Sequence, residues 1–203
     1  MTELLTVEAR GATRATLILA HGAGAPMDSD FMNGLCDALA ERGVATVRFE
    51  FPYMARRRYE GVKCPPDRQP VLLQRWREVF AAVKNGQPAG KLLIGGKSMG
   101  GRMASLIAEE LQPEGFCCFG YPFHPPGKTG GVRTEHFYAT TVPGLILQGT
   151  RDAFGKPAEI DSSDWPDNLK LVWLDEGDHD FKARKSSGLT QRAIIDQAAV
   201  CVG

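Results

Sequence analysis

The stretch Leu92-Leu93-Ile94-Gly95-Gly96-Lys97-Ser98-Met99-Gly100-Gly101 decides the fold of this chain. Its apolar first residues predict a buried strand, and the pattern from Met99 onward predicts a helix. Between them, Gly96 to Gly100 fit G-x-S-x-G, the pattern of a sharp strand-to-helix turn that presents a serine nucleophile. The glycines have a steric reason, because positions two before and two after the serine press against neighbouring backbone.

A phosphate-binding loop is the rival interpretation, since Gly96-Lys97-Ser98 also resembles the end of G-x-x-x-x-G-K-[ST]. That motif requires its first glycine at position 91, which is Lys91 in this chain. The residues before Gly95 are also strand-like and leave no space for a loop that cradles phosphates. The sequence therefore favours the nucleophile turn.

The length and the charge of the chain exclude several function classes. Its 203 residues suit one domain over 1–203, long enough to bury a substantial core. The formal net charge is zero, so no nucleic acid or acidic membrane is expected as a partner. The local exception is the basic run Arg56–Arg58 with Lys63 nearby, which is either a solvated loop or a patch for an anionic partner.

The cysteines and the N-terminus indicate a compartment. The five cysteines form no C-x-x-C pair, and two adjacent ones lie in an apolar run, so neither disulfides nor a zinc or other metal site is expected. Met1-Thr2-Glu3-Leu4 has no signal-peptide character, and no stretch approaches the length of a membrane span. We expect a soluble cytoplasmic protein without a cofactor. The cysteines are Cys36, Cys64, Cys117, Cys118 and Cys201.

Apolar runs alternate with helical patterns along the chain, which predicts parallel strands joined by right-handed crossovers. The fold class is therefore α/β, with a doubly wound, mostly parallel sheet of about six to seven strands and helices on both faces. Ligands of such sheets lie beyond the carboxyl ends of the strands. The sequence predicts strands over 15–20, 44–51, 91–95, 116–119, 145–147 and 169–174, helices over 31–42, 72–84, 99–111 and 189–202, and irregular loops over 53–70 and 121–142.

A base and an acid follow Ser98 in the order that a serine nucleophile on such a sheet requires. Asp152 comes after the last-but-one predicted strand, and His179 comes after the last one. His179 would take the serine proton and return it to the leaving group, while Asp152 would hold the imidazole tautomer. Asp178 and Asp180 are alternative acids, although their adjacency to His179 makes their geometry awkward.

An oxyanion hole is also required, because the tetrahedral intermediate carries a negative oxygen. One donor is expected to be the backbone N–H of Met99, directly after the nucleophile. The second is expected from the small-residue loop 21–25 after the first predicted strand. We assign it to the Ala23 N–H, with Gly24 as the alternative, and interpret His21 as a structural residue that bonds loop backbone.

Three motifs carry a family likeness: residues 21–25 (HGAGA), 95–102 (GGKSMGGR) and 121–128 (YPFHPPGK). From about Thr13 onward the chain resembles the α/β-hydrolase superfamily, and within it a small cap-less branch related to dienelactone hydrolases. The resemblance implies a hydrolase without a cap domain. Dienelactone hydrolases use a cysteine nucleophile where this chain has Ser98, so their substrate is not carried over.

Specificity is expected in the loops around the nucleophile, because no cap of forty or more residues is inserted between 115 and 142. Tyr121, Phe123 and His124 follow a strand next to Ser98 and are candidates for lining the substrate site; the alternative is that they anchor a proline-rich turn. Lys97 is a further lining candidate, and its alternative is a surface lysine without a catalytic part.

Two functions follow from these residues. The first is a serine hydrolase that cleaves a small ester or thioester through an acyl-enzyme intermediate, with a small-molecule acyl substrate as its partner. A peptidase would use the same triad. The second is a non-catalytic binding or scaffold protein that keeps the fold, suggested by scaffolding relatives and by the basic run Arg56–Arg58.

Overall fold

A computed structural model describes residues 3–127 and 131–203 of the protein. Met1 and Thr2 of the quoted N-terminus, and Lys128 at the end of the third motif, lie outside the described residues. The described chain forms seven strands, β1 (Leu4–Val7), β2 (Ala15–Ala20), β3 (Val44–Phe49), β4 (Lys91–Lys97), β5 (Gly115–Phe119), β6 (Gly144–Gly149) and β7 (Leu169–Leu174), and five α-helices, α1 (Asp30–Ala40), α2 (Pro52–Glu60), α3 (Gln69–Asn85), α4 (Met99–Leu111) and α5 (Gln191–Val202).

The strands form one sheet in the order β1-β3-β2-β4-β5-β6-β7. All neighbours are parallel except β1, which pairs antiparallel with β3 at one edge. The predicted doubly wound, mostly parallel sheet is thus confirmed. The sequence did not predict β1, because four residues at an edge carry too little pattern.

Helices cover both faces of the sheet and create two cores. Leu35 of α1 and Ile194 of α5 pack on one face, against Leu17 and Leu19 of β2. Helices α2, α3 and α4 pack on the other face, where Trp76 is fully buried. Strands β2, β3 and β5 are buried along their whole length, as expected of strands covered on both sides.

Helix α2 lies where the sequence predicted an irregular loop over 53–70, so that prediction was wrong. Pro52 occupies the first helical turn, and Gly61 ends the helix with a φ of 68°, a conformation that glycine adopts freely. The helix is polar and arginine-rich, and only Tyr53 and Met54 are buried. Its apolar periodicity is therefore weak, and only its two ends marked it in the sequence.

The chain reverses its direction of winding between β2 and β4, which are neighbours in the sheet. A crevice forms at the carboxyl ends of strands at such a switch point, and ligands bind there. Ser98 follows β4 and the loop 21–25 follows β2, so the fold brings these two segments to one crevice. Between β5 and β6, the described residues form only a short 3-10 helix, Glu135–Ala139, and no cap domain.

None of the helices described over 3–127 and 131–203 is both long and apolar enough to cross a membrane.

Candidate active site

Ser98 occupies the turn between β4 and α4 in a conformation that few residues with a side chain adopt. Its φ is 51° and its ψ is −117°, and its N–H donates to the Phe119 carbonyl at 3.0 Å. A non-glycine residue in a sparsely populated backbone region costs on the order of 1–3 kcal/mol, and such strain is concentrated at functional sites. The turn holds the serine hydroxyl above the end of the sheet.

The glycines around Ser98 leave room for backbone that runs very close to them. A Cβ on Gly96 would lie 2.5 Å from the Gly100 carbonyl carbon and 2.7 Å from the Ala20 oxygen. A Cβ on Gly100 would lie 2.5 Å from the His21 oxygen. The steric reason given for G-x-S-x-G therefore holds at both positions. The close contacts also show that the turn packs directly against the end of β2.

The structure brings Ser98, His179 and Asp152 into one hydrogen-bonded row. The Ser98 Oγ lies 2.9 Å from His179 Nε2, and His179 Nδ1 lies 2.8 Å from Asp152 Oδ2. Asp152 is fully buried, and its other carboxylate oxygen accepts the Phe154 N–H at 2.8 Å. The Phe154 ring packs on the imidazole with centroids 4.3 Å apart. The imidazole can therefore take a proton from the serine while Asp152 holds its orientation.

The two alternative acids have other partners. The Asp178 carboxylate accepts the N–H groups of Asp180 and Lys182, both at 2.9 Å, and so stabilises its own turn. Asp180 lies 3.5 Å from the Lys97 ammonium. Of the three aspartates that the sequence offered, Asp152 is the one that bonds the imidazole.

The loop 21–25 is held by side chains behind it. The carbonyl oxygen of Gly22 lies 2.6 Å from His21 Nδ1, and the Tyr53 hydroxyl lies 3.3 Å from the Gly22 oxygen and 3.1 Å from the Ala23 oxygen. In a trans peptide the C=O and the N–H point in opposite directions. Fixing these two carbonyls therefore directs the N–H groups of Ala23 and Gly24 away from Tyr53.

His21 is buried and structural, as the sequence suggested. Its Nε2 accepts the Phe51 N–H at 3.1 Å, so its Nδ1 carries the proton that is donated to Gly22. Burial lowers the pKa of His21 to about 4. The ring is therefore neutral at pH 7 and ties the loop to the chain after β3.

A cavity of about 380 Å³ lies in front of Ser98 and His179. Its walls include Ala23 and Gly24 from the loop after β2, together with Lys97. Met99 begins α4, and its N–H is one of the first four that a helix cannot bond internally. Met99 directly follows Ser98, and Ala23 lines the same cavity as Ser98. The oxyanion hole expected from the N–H groups of these two residues stays a prediction.

Residues 13–202 match the profile of a family described as an α/β-hydrolase domain. The chain belongs to this family. It is therefore an α/β hydrolase, as the sequence predicted. Three solved structures that share its fold follow.

A serine hydrolase homologue from Coxiella burnetii is 18% identical, with a TM-score of 0.75 over 98% of this chain and 90% of its own. A serine hydrolase without lid from Xanthomonas campestris is 19% identical, with a TM-score of 0.70 over 98% and 88%. A dienelactone hydrolase from Anabaena variabilis is 20% identical, with a TM-score of 0.70 over 97% and 88%. At these identities the likeness shows the shared fold.

Three predicted lining residues of the hydrolase lie away from the cavity. Tyr121 and Phe123 are fully buried in the core beside Phe137, and His124 is buried with its Nε2 3.2 Å from Glu159. None of the three is among the residues that line the cavity. The prediction of a substrate-lining role was wrong, because these aromatic rings fold back into the core, and the alternative of loop anchoring describes them.

The sequence did not single out four residues that do line the cavity. Ser29, Phe31 and Met32 come from the N-cap and the first turn of α1. Phe154 comes from the loop after Asp152. All four lie within a few residues of segments that the sequence had placed at the carboxyl ends of strands. That proximity was the available signal. For Lys97, the sequence left two interpretations open, a residue that lines the substrate site and a surface lysine. The second is wrong, because the side chain is only 6% exposed.

The basic run of the hydrolase is bonded within the protein. Arg56 pairs with Asp67, Arg58 pairs with Glu50 and Asp28, and Arg57 donates to the Cys64 carbonyl. These partners leave the run as a structural part of α2 rather than a free patch of positive charge. In the described parts of the chain, no group of three or more His, Cys, Asp or Glu is arranged to hold a metal ion.

Proposed function

We propose that this hydrolase cleaves a small carboxylic ester or thioester through an acyl-enzyme intermediate. The observation that carries the proposal is the row of hydrogen bonds from Ser98 Oγ through His179 to the buried Asp152, at 2.9 and 2.8 Å. The strained backbone of Ser98 supports it, because a scaffold protein gains nothing from keeping that strain.

The reaction runs in two balanced halves. In the first, Ser98 Oγ bonds to the carbonyl carbon as His179 Nε2 takes its proton, and the oxygen of the carbonyl becomes an anion. The N–H groups of Ala23 and Met99 stabilise that anion. The carbon–oxygen or carbon–sulfur bond to the leaving group then breaks, and the imidazolium returns its proton to that group.

In the second half, water replaces the leaving group. His179 takes a proton from the water, the hydroxide bonds to the acyl carbon, and the bond to Ser98 Oγ breaks as the proton returns to the serine. The free acid and the original enzyme result.

The cavity supports a small acyl group. Its volume is about 380 Å³, and Phe31, Met32 and Phe154 give it apolar walls. The lid-less relative from Xanthomonas campestris supports a site that is reached directly from solvent. The five free cysteines, two of them buried side by side, support a reducing compartment, and we propose the cytoplasm.

Labelling with a fluorophosphonate probe tests the nucleophile. We expect stoichiometric labelling of the wild type and none of Ser98→Ala, with Ser105→Ala as a matched control that leaves Ser98 in place. Equal labelling of wild type and Ser98→Ala would assign the reaction elsewhere. A wild type that neither labels nor turns over p-nitrophenyl esters from acetate to octanoate would favour the non-catalytic scaffold.

A further inference from the structure

The side chain of Lys97 is buried next to the candidate active site. Buried lysines are rare in proteins unless their ammonium group has a partner. It is the last residue of β4, directly before Ser98, and it is 6% exposed. Its Nζ donates to the backbone carbonyl of His179 at 2.6 Å. The strand that carries the nucleophile therefore holds the backbone of the residue that would act as its base.

We propose that Lys97 is a positioning residue, which clamps the His179 loop so that the imidazole stays within hydrogen-bonding distance of Ser98. The inference rests on the proposed function, because a clamp on His179 matters to the rate only if His179 acts as the base.

The loop of His179 has two separate attachments to the rest of the sheet. On the side of β6, the Arg151 N–H donates to the Gly177 carbonyl at 2.9 Å, and the Arg151 guanidinium donates to the Glu176 carbonyl. Those bonds keep the loop in register with the neighbouring Asp152. On the side of β4, the Lys97 bond to the His179 carbonyl fixes the loop relative to Ser98. The two attachments therefore set the two distances of the hydrogen-bonded row separately.

Direct recognition of an anionic substrate is the rival role for Lys97, because this lysine lines the cavity. Its ammonium already has partners: the His179 carbonyl, Asp180 at 3.5 Å, and the face of the Phe31 ring at 5.4 Å. Burial lowers the pKa of Lys97, while the charge of Asp180 opposes that shift. Turning the ammonium toward a substrate would leave the His179 carbonyl without its donor, which is costly in a partly buried site.

Gly120, directly after β5, leaves space for the contact between the Lys97 ammonium and the His179 carbonyl. A Cβ there would lie 3.1 Å from Lys97 Nζ, 3.0 Å from the His179 oxygen and 3.4 Å from His179 Nδ1. Its φ is 68°, in the left-handed region that glycine adopts without strain. The absence of a side chain at this position keeps the ammonium and the carbonyl in contact.

Lys97→Met tests the clamp, because methionine keeps much of the side-chain length and removes the donor. We expect its rate of fluorophosphonate labelling to fall about 30- to 100-fold, since a misplacement of about 1 Å costs roughly 10² in rate. Lys91→Met is the matched control, because Lys91 is exposed at the opposite end of the same strand.

A spectroscopic readout separates positioning from a general loss of stability. The proton on His179 Nδ1, shared with Asp152, should give a downfield NMR resonance in the wild type and in Lys91→Met, and it should broaden in Lys97→Met. In the wild type alone, the Lys97 ammonium protons should exchange slowly and show nuclear Overhauser effects to His179. That second measurement holds even if Lys97→Met does not fold.

The outcomes separate this inference from the proposed function. A wild type that does not label overturns both. Equal labelling of Lys97→Met and wild type overturns the clamp alone. Rapid exchange of the wild-type Lys97 ammonium, without contacts to His179, would also overturn it.

Discussion

The turn at Ser98 and the loop 21–25 face the same cavity, but different forces hold them in place. Backbone fits so closely around Gly96 and Gly100 that no side chain can be added. Around Gly24, by contrast, an added Cβ would meet nothing within 4 Å. The Ser98 turn is positioned by packing, whereas the loop 21–25 is positioned by hydrogen bonds from His21 and Tyr53. The Ser98 turn should therefore tolerate no added atom. The loop 21–25 should instead be disturbed when a hydrogen-bond donor is removed or when the pH falls.

Gly100→Ala should produce the largest effect, because its Cβ would lie 2.5 Å from the His21 oxygen and 2.6 Å from the Ala20 oxygen. The turn must move away from β2, so we expect a loss of about 3 kcal/mol or more in the free energy of unfolding. Esterase activity should fall below detection. Urea unfolding and p-nitrophenyl acetate hydrolysis measure the two effects, and a variant with wild-type stability would contradict the packing account.

Acid should weaken the fold through the buried His21. Its pKa is about 4 in the folded protein and near 6.5 in the unfolded chain, so the unfolded state binds more protons between these values. Stability is therefore complete above pH 6.5 and is lost as the pH falls toward 4. We expect a loss of about 2 kcal/mol at pH 5 from this residue.

His136 also has a pKa lowered to about 4 by burial, so its share must be subtracted from the acid effect. Urea unfolding at pH 7 and pH 5 can be measured for the wild type and for His136→Asn. Because the variant lacks His136, the stability that it still loses between pH 7 and pH 5 includes the contribution of His21. A His136→Asn protein equally stable at both pH values would refute the assignment to His21.

Tyr53→Phe should lower the rate with little change in fold. The hydroxyl is the donor that lies between the carbonyls of Gly22 and Ala23, and the ring itself stays buried in the core. Complete loss of one oxyanion donor costs about 10² to 10³ in kcat, so misdirecting one should cost about tenfold. Steady-state hydrolysis of p-nitrophenyl acetate gives the value. The exposed Tyr59→Phe is the matched control, and equal rates for the two variants would remove Tyr53 from the support of this loop.

Gly24→Ala should have the smallest effect on stability and activity. Nothing lies within 4 Å of the added Cβ, and Gly24 does not adopt the positive φ that disfavours alanine. We expect stability within about 0.5 kcal/mol of the wild type. Activity toward the acetate ester should change less than about twofold. A loss comparable to that of Gly100→Ala would show that both segments are held by packing, and would end the distinction between them.

The sheet and the Ser98 turn were predictable because their sequence patterns are local, each spanning only a few neighbouring residues. The buried strand before Gly95, the glycines around Ser98 and the polar residues after β6 and β7 are local signals, and the order of the strands brings them to one edge. The same reasoning placed Ala23 beside the serine. No such local signal distinguishes a residue that lines a cavity from one that packs in the core.

Tyr121 and Phe123 show why the rest could not be predicted. They follow a strand next to Ser98, but their rings pack on Phe137 and Trp165, which come from later segments. The burial of Lys97 has the same origin, because its partners His179 and Asp180 belong to a loop far along the chain. Contacts between distant segments decide such positions, and a single sequence does not display those contacts.

The order in which the chain is synthesised gives the distance between Ser98 and His179 a further meaning. The two residues are 81 positions apart, and His179 follows the last strand of the sheet. Ribosomes add about 5–20 residues each second, and the N-terminal part of a chain can begin to fold first. In the proposed mechanism, the serine on a growing chain is therefore an ordinary alcohol for several seconds. It becomes reactive toward acyl groups only after β7 and its loop have been made, so the topology delays the chemistry until the cavity that selects its substrate is in place.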